Sequence, residues 1–273
     1  MQNFTGKNVY ITGGSSGIGL STGRLMTQSG ANVIIFARNQ TRLMAALDEI
    51  EQRRAASGQH FAFRALDVTE HAAVQTVMGE AVQSFGTPDI LINCVGRAIP
   101  RPFEEIRFTQ FDETMKINLY GIWSCVYALA PHMKAKGGTI VNCSSLLGFM
   151  GVFGYADYCA SKFGIIGLSH VLRQELRQYR IRVSVFCPPD TDTPGFATEN
   201  LTKPEETKAI SGGAGIMSPD DVARELIKGM GHNRFMIIPG AEGKVAYFMH
   251  RYAPFVLDMV MQSAIRKVHE KRT

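Results

Sequence analysis

The chain has 273 residues, 45% of them apolar and 19% charged, with 27 glycines and a formal net charge of +5. That composition excludes a disordered or collagen-like chain and a small disulfide-stapled scaffold, and the length suits one α/β domain of up to about 250 residues with an extension. The charge is unevenly placed: Lys244 to Thr273 carries six basic and two acidic residues, so the rest is nearly neutral and has no basic stripe to offer a nucleic acid.

In chain order, short β-branched or apolar runs predict strands at Asn8 to Thr12, Asn32 to Ala37, His60 to Leu66, Ile90 to Asn93, Thr139 to Cys143, Arg182 to Cys187 and Phe235 to Pro239. Helical patterns fall between them, at Leu20 to Gln28, Gln40 to Arg54, His71 to Phe85, Phe111 to Met133 and Tyr158 to Tyr179. Regular alternation of strand and helix predicts right-handed crossovers and therefore a Rossmann-type, doubly wound parallel sheet of about seven strands in a single domain. Two stretches break the rhythm. Pro188 to Met217 is rich in Pro, Thr, Gly and Glu, and a structureless connection of that length predicts a lid over a site. Residues 244–273 read as a separate helical, apolar and basic extension of the domain at 1–243.

Other chemistries are absent from the pattern. The five cysteines (Cys94, Cys125, Cys143, Cys159, Cys187) are scattered with no C-x-x-C pair, and the seven histidines have no metal-ligand spacing. Buried thiols in a reducing compartment, and no metal, are expected. The chain starts without a basic segment leading into an apolar one, so no cleaved signal is expected. No uncharged apolar run reaches the roughly 18 residues of a membrane span. A cytoplasmic protein follows, with peripheral membrane contact left open.

The first predicted strand runs into Thr12-Gly13-Gly14-Ser15-Ser16-Gly17-Ile18-Gly19 and then a helix. A pyrophosphate needs backbone N–H groups and a positive helix end at close range, hence glycines where a Cβ would collide, so Gly13, Ser15, Ser16, Gly17, Ile18 and Gly19 are candidates to bind a nucleotide. Past the second strand, where a carboxylate would bond a ribose 2′-hydroxyl, the chain has Phe36-Ala37-Arg38. Arg38 suits a 2′-phosphate, so NADPH/NADP is expected over NAD(H); the bland alternative is a solvated strand-end charge. Farther on, Tyr158-Cys-Ala-Ser-Lys162 places a phenol and an ammonium one helical turn apart, just after the strand-end pair Ser144-Ser145. An ammonium beside a phenol lowers its pKa from about 10 toward the working pH of a general acid.

These motifs, in this order, resemble the short-chain dehydrogenase/reductase family over residues 6 to about 240. The resemblance rests on Thr12-Gly-x-x-x-Gly17-x-Gly19, Asp67, Asn93-Cys-Val-Gly96, Asn118, Ser145, Tyr158-x-x-x-Lys162 and Pro188 to Thr193. It implies a nicotinamide cofactor with Asp67 near the adenine, Asn93 and Gly96 along the adenosine, and Pro188, Thr191 and Thr193 on the nicotinamide side. Asn118, Ser145, Tyr158 and Lys162 are implied as the catalytic group. In that scheme Tyr158 donates the proton in reduction and Ser145 orients the carbonyl. Lys162 binds the ribose and lowers the Tyr158 pKa, while Asn118 holds a helix and a relay water. Family spacing selects Ser145, 13 residues before the tyrosine, with Asn142 and Ser144 as structural alternatives. Cys94 and Val95 depart from the family's usual small residues, and Pro189 replaces a glycine and removes a backbone donor.

The lid string Pro188-Pro-Asp-Thr-Asp-Thr-Pro-Gly-Phe196, with Glu199-Asn200 and Lys203-Pro-Glu-Glu-Thr207 behind it, resembles the branch of that family that reduces the 3-keto group of long-chain sphingoid bases with NADPH. The expected reaction is reduction of a lipid-like ketone of that kind. The rivals are a 3-oxoacyl thioester or steroid reductase and a catalytically silent NADPH-binding scaffold. Asp190, Asp192, Glu199, Glu205 and Glu206 are then candidate partners for a substrate ammonium, against the alternative of solvated loop charges. A homo-oligomer is also expected. The tail, aromatic and basic but interrupted by His250, Arg251, Pro254 and Asp258, reads either as an interfacial helix on a lipid surface or as a core or dimer helix.

Overall fold

The computed structural model describes residues 3–213 and 215–271. A seven-stranded, wholly parallel sheet in the order β3-β2-β1-β4-β5-β6-β7 forms its centre. The strands are β1 (Asn8–Thr12), β2 (Asn32–Ala37), β3 (Phe61–Ala65), β4 (Ile90–Asn93), β5 (Gly138–Cys143), β6 (Ile181–Phe186) and β7 (Met236–Ile237). Strand order reverses between β1 and β4, which opens a crevice at their carboxyl ends.

Both faces of the sheet are covered, which is why the strands are near-continuous apolar runs. In β1, Val9 and Ile11 point to one side and Tyr10 to the other, all fully buried. Tyr10 joins Phe36, Leu91 and Ile140 in a core closed by α3 (His71–Phe85), while Val9 and Ile11 join Val33, Ile35 and Ile92 in a second one closed by α1 (Gly17–Gln28) and α2 (Gln40–Glu51). Between β4 and β5 come α4 (Phe108–Met115) and α5 (Gly121–Met133), joined through a π-helical turn, Lys116–Tyr120. One uninterrupted helix from Phe111 was expected; the wider turn instead brings Asn118 inward, and such turns recur at functional sites. The next helix, α6 (Ala156–Leu176), begins two residues earlier than its sequence pattern suggested and ends three earlier, continuing as a 3₁₀ turn.

The lid is not structureless. Pro194–Asn200 forms α7 and Glu205–Ser211 forms α8. Thr193 caps α7 by accepting a hydrogen bond from the Phe196 N–H (3.1 Å), and Pro194 follows as the first helical residue, where a missing donor costs nothing. The strand-like bridge between Thr191 and Met217 ties the base of the lid. After it, Ser218 caps α9 (Pro219–Gly231).

The tail forms α10 (Ala241–Tyr252) and α11 (Pro254–Glu270), broken where Pro254 cannot continue the preceding helix. It is docked on the lid rather than free of it: α11 packs against α8, and His269 Nε2 lies 3.1 Å from Glu206 Oε1, a carboxylate with 5% side-chain exposure. All five cysteines are free thiols, and burial pushes that of Cys159 up to about 11.

Candidate active site

The turn after β1 and the first turn of α1 form a cradle in the switch-point crevice. A Cβ on Gly13 (φ +73°) would lie 2.8 Å from the backbone of Cys94, and one on Gly19 would lie 2.3 Å from the Gly13 carbonyl. Ser16 occupies the N-cap without a side-chain cap bond, and the first turn of α1 has no acidic residue. Its backbone donors and positive end therefore face outward beside partly buried Ser15, Gly17 and Ile18, an arrangement that fits a dinucleotide pyrophosphate. From the lid side, the Thr193 methyl lies 2.9 Å from the point a Gly17 Cβ would occupy, so the lid base and the cradle meet.

Arg38 and Asp67 stand at neighbouring strand ends. Arg38 Nη1 is 3.9 Å from Asp67 Oδ2, both side chains well exposed, and Asp67 also accepts from the Thr69 N–H (3.0 Å) and hydroxyl (2.8 Å). An exposed contact at that distance contributes about 0–1 kcal/mol and leaves the guanidinium able to meet an anion.

Asn93 corrects an expectation. Its side chain is fully buried, accepting from Thr12 Oγ1 (3.3 Å) and donating to Asn142 Oδ1 (2.9 Å). Asn142 in turn donates to Ser169 Oγ (3.0 Å), so a polar chain ties β1, β4, β5 and α6 beneath the crevice. The Asn93 amide is used up in supporting the strand ends instead of facing an adenosine. Thr191 is likewise committed, its hydroxyl donating to the Pro189 carbonyl (2.8 Å) while the Pro188 carbonyl accepts from the Leu146 N–H (3.2 Å).

The four residues implied as catalytic converge at the ends of β4 and β5 and on the first turns of α6. Asn118 accepts from the Arg97 N–H (2.9 Å) and donates to the Arg97 carbonyl and Ser161 Oγ (both 3.0 Å), clamping the segment after β4 to α6. Gly96 lies beside it: a Cβ there would be 3.3 Å from Lys162 Nζ and 3.5 Å from Asn118 Oδ1. Ser145 lies beside Tyr158, its Oγ accepting from the Leu147 N–H (3.2 Å), whereas the Ser144 hydroxyl donates to the Lys162 carbonyl (2.9 Å). Lys162, 3% exposed, donates from Nζ to the Cys143 carbonyl (2.9 Å) and sits 5.4 Å from the Tyr158 ring centroid.

The expected lowering of the Tyr158 pKa is not what these groups produce. Burial raises the phenol well above its usual range, the Glu199 carboxylate adds to the rise, and the Ser145 contact offsets only part of it. Burial also lowers the Lys162 pKa, because an enclosed ammonium loses its hydration.

Two arrangements escaped the sequence reading, although Glu199 and Asp190 of the second are among its candidate partners for a substrate ammonium. Asp157, 1% exposed, accepts from Gln110 (3.0 Å), Thr114 (2.8 Å) and the Tyr158 N–H (2.8 Å), fixing the start of α6 against α4. Tyr155, at the N-cap of α6, donates to Glu199 Oε1, and Lys203 lies 3.5 Å from Glu199 and 3.9 Å from Asp190. Neither carries a local motif: a carboxylate before a tyrosine and charges in a lid look the same whether solvated or enclosed. Of the other lid acids, Glu205 pairs with Lys208 at 2.7 Å, Glu206 meets His269, and Asp192 is exposed.

The pattern of the short chain dehydrogenases matches residues 7–204. The chain belongs to this family. As a short chain dehydrogenase it is an oxidoreductase acting on a carbonyl or its alcohol, and its relatives cover most of it. The 3-ketodihydrosphingosine reductase of Bos taurus is 36% identical over 240 residues, 87% of this chain and 72% of the relative. The 3-dehydrosphinganine reductase of Danio rerio is 37% identical with the same coverage. Among solved structures, the apo form of LigD from Sphingobium sp. superposes with a TM-score of 0.78 at 27% identity, over 93% of this chain and 97% of that one.

Proposed function

We propose that this short chain dehydrogenase reduces the 3-ketone of 3-ketodihydrosphingosine with NADPH. The observation that carries the reaction type is the half-buried Tyr158 phenol, beside Ser145 and one turn from Lys162, at the glycine cradle. The substrate rests on the 3-ketodihydrosphingosine and 3-dehydrosphinganine reductases to which the chain is similar.

The cradle would hold NADPH, which would supply the hydride for the ketone carbon. The Ser145 hydroxyl holds the ketone oxygen toward Tyr158, and Tyr158 gives that oxygen its proton. Lys162, protonated beside the ring, stabilises the phenolate left behind and meets the nicotinamide ribose. Asn118 keeps α6 and the Arg97 segment in register, and Gly96 leaves room for Lys162 to move. Arg38 would hold the 2′-phosphate, Asp67 would lie toward the adenine, and Gly13 to Gly19 would hold the pyrophosphate. Pro188, Thr191 and Thr193 shape the nicotinamide side, Thr191 as backbone support.

A ketone panel tests this. With NADPH, kcat/KM for 3-ketodihydrosphingosine should exceed that for a 3-oxoacyl thioester or a steroid ketone by about tenfold or more. Equal rates across the panel remove the substrate assignment.

The same reading places the protein in the cytoplasm, resting on a lipid surface through its tail. No described helix is long and apolar enough to cross a membrane. Phe248, Tyr252, Phe255, Met259 and Val260 are each more than half exposed on α10 and α11, with Arg251, Arg266 and Lys267 in the same helices. Exposed Trp123 and Tyr127 on α5 and Phe163 on α6 support self-association as well. Burying a Phe or Met is worth about 1.5–3 kcal/mol. The double change Phe255→Ser with Met259→Ser should therefore weaken co-sedimentation with anionic vesicles by about tenfold or more; an unaltered protein that stays in the supernatant removes the membrane contact.

A further inference from the structure

The lid brings a carboxylate, an ammonium and a phenol together under cover, next to the proton donor. Glu199, on α7, has 16% side-chain exposure; Lys203, one helical turn on, has 5%. Glu199 Oε1 accepts the Tyr155 hydroxyl and lies 3.5 Å from Lys203 Nζ, which also faces Asp190 at 3.9 Å and the Phe196 ring at 4.6 Å from its centroid. Tyr155 is the last residue before α6, 4% exposed, and its ring centroid is 5.7 Å from that of Tyr158. An unbroken set of contacts thus runs from the lid to the general acid.

Enclosing a charge pair is an expensive way to hold two elements together, since apolar side chains of similar volume do it as well or better. Stability alone does not explain a carboxylate and an ammonium at this junction. Their place relative to Tyr158 does. We propose that Glu199 is a positioning residue that latches the lid onto Tyr155 and, once latched, holds its charge against Tyr158.

The surroundings of Tyr158 make Glu199 the distinctive contributor. Ser145 and Cys143 face the phenol from the end of β5, Cys159 and Lys162 from its own helix, Tyr155 from the start of that helix, and Glu199 from the lid. Glu199 is the one carboxylate in this set, and it is the one contributor carried by an element other than the core sheet and α6. A seated lid therefore favours the protonated phenol, the form that donates. An unseated lid withdraws that influence. On the reading that the protein is a ketone reductase, proton donation is coupled to closure over the substrate.

Two measurements on the full chain test the latch and its effect separately. Hydrogen–deuterium exchange of the free protein follows residues 194–211 and requires no substrate. Glu199→Gln and Tyr155→Phe should each speed exchange in that segment by about tenfold, while Glu80→Gln, on the exposed face of α3, should leave it unchanged. The second measurement is the pH profile of kcat/KM for NADPH-dependent reduction of the best ketone on the panel. A general acid must be protonated, so the rate falls as pH rises through its pKa. Removing a neighbouring negative charge, or releasing the lid that carries it, lowers that pKa, so both variants should move the alkaline limb down by about one pH unit, and Glu80→Gln should not.

Unchanged exchange in both variants overturns the latch, and an unmoved limb in both overturns the coupling to Tyr158. If Glu199→Gln does not fold, Tyr155→Phe, which keeps the ring, carries both readouts. A protein that turns over no ketone on the panel refutes the proposed reductase function, and the exchange measurement then decides the latch on its own.

Discussion

Tyr158→Phe will lower kcat for ketone reduction by about 10²–10⁴-fold, the contribution of a positioned general acid, with NADPH affinity changed by less than about twofold. The phenol lies beside Ser145 on the face of α6 that also carries Lys162. Its ring is retained in the variant, so the packing against Tyr155 survives. The loss should appear in kcat and in kcat/KM alike, because the proton is transferred only as charge develops on the ketone oxygen. Single-turnover rates with saturating NADPH measure it, and nucleotide fluorescence measures the affinity. Turnover within about threefold of the unaltered protein removes Tyr158 from the mechanism.

Arg38→Asp will lower kcat/KM with NADPH by about 10–150-fold and move the preference toward NADH. A charge-assisted hydrogen bond to a phosphate is worth about 1.5–3 kcal/mol, and the introduced carboxylate repels a 2′-phosphate while accepting from a 2′-hydroxyl. The neutral change Arg38→Gln separates the two effects: it loses the attraction without the repulsion and should fall between. Stability should scarcely move, since the ion pair given up is the exposed 3.9 Å contact with Asp67. Equal NADPH and NADH constants before and after would show that Arg38 is a solvated charge at a strand end.

Much of this architecture is legible in the chain because it depends on neighbours in sequence. The apolar runs of β1, β2 and β4, the glycines at 13, 17 and 19, and the one-turn spacing of Tyr158 and Lys162 are local patterns, and local geometry is enough to place them. The parallel sheet follows from alternation, since crossovers of one hand leave few other topologies. Strand ends were harder. β3 is two residues shorter than its apolar run and β7 is a two-residue pair, because pairing partners, and not propensity, decide where a ladder stops.

The site shows the same division more sharply. That Tyr158, Lys162 and Ser145 meet is foreshadowed by their spacing, but the Asn93 amide turns inward because Asn142 and Thr12 lie across the neighbouring strands. The direction of the Tyr158 pKa shift is also a property of the assembled protein: the expected influence of Lys162 is a pairwise argument, whereas desolvation by everything packed around the phenol is the larger cause.

The sequence was sufficient for the sheet, the glycine turn after β1 and the spacing of Tyr158 and Lys162, since each is written in residues a few positions apart. The lid and tail were not readable in that way. Tyr155 reaches Glu199 across 44 residues and Glu206 reaches His269 across 63, and those contacts exist only because the short α7, capped by Thr193, folds over the carboxyl end of the sheet and the long α11, started by Pro254, packs back on α8. Enclosure is a sum over distant elements, and it is enclosure that turns ordinary lid charges into groups able to act on Tyr158.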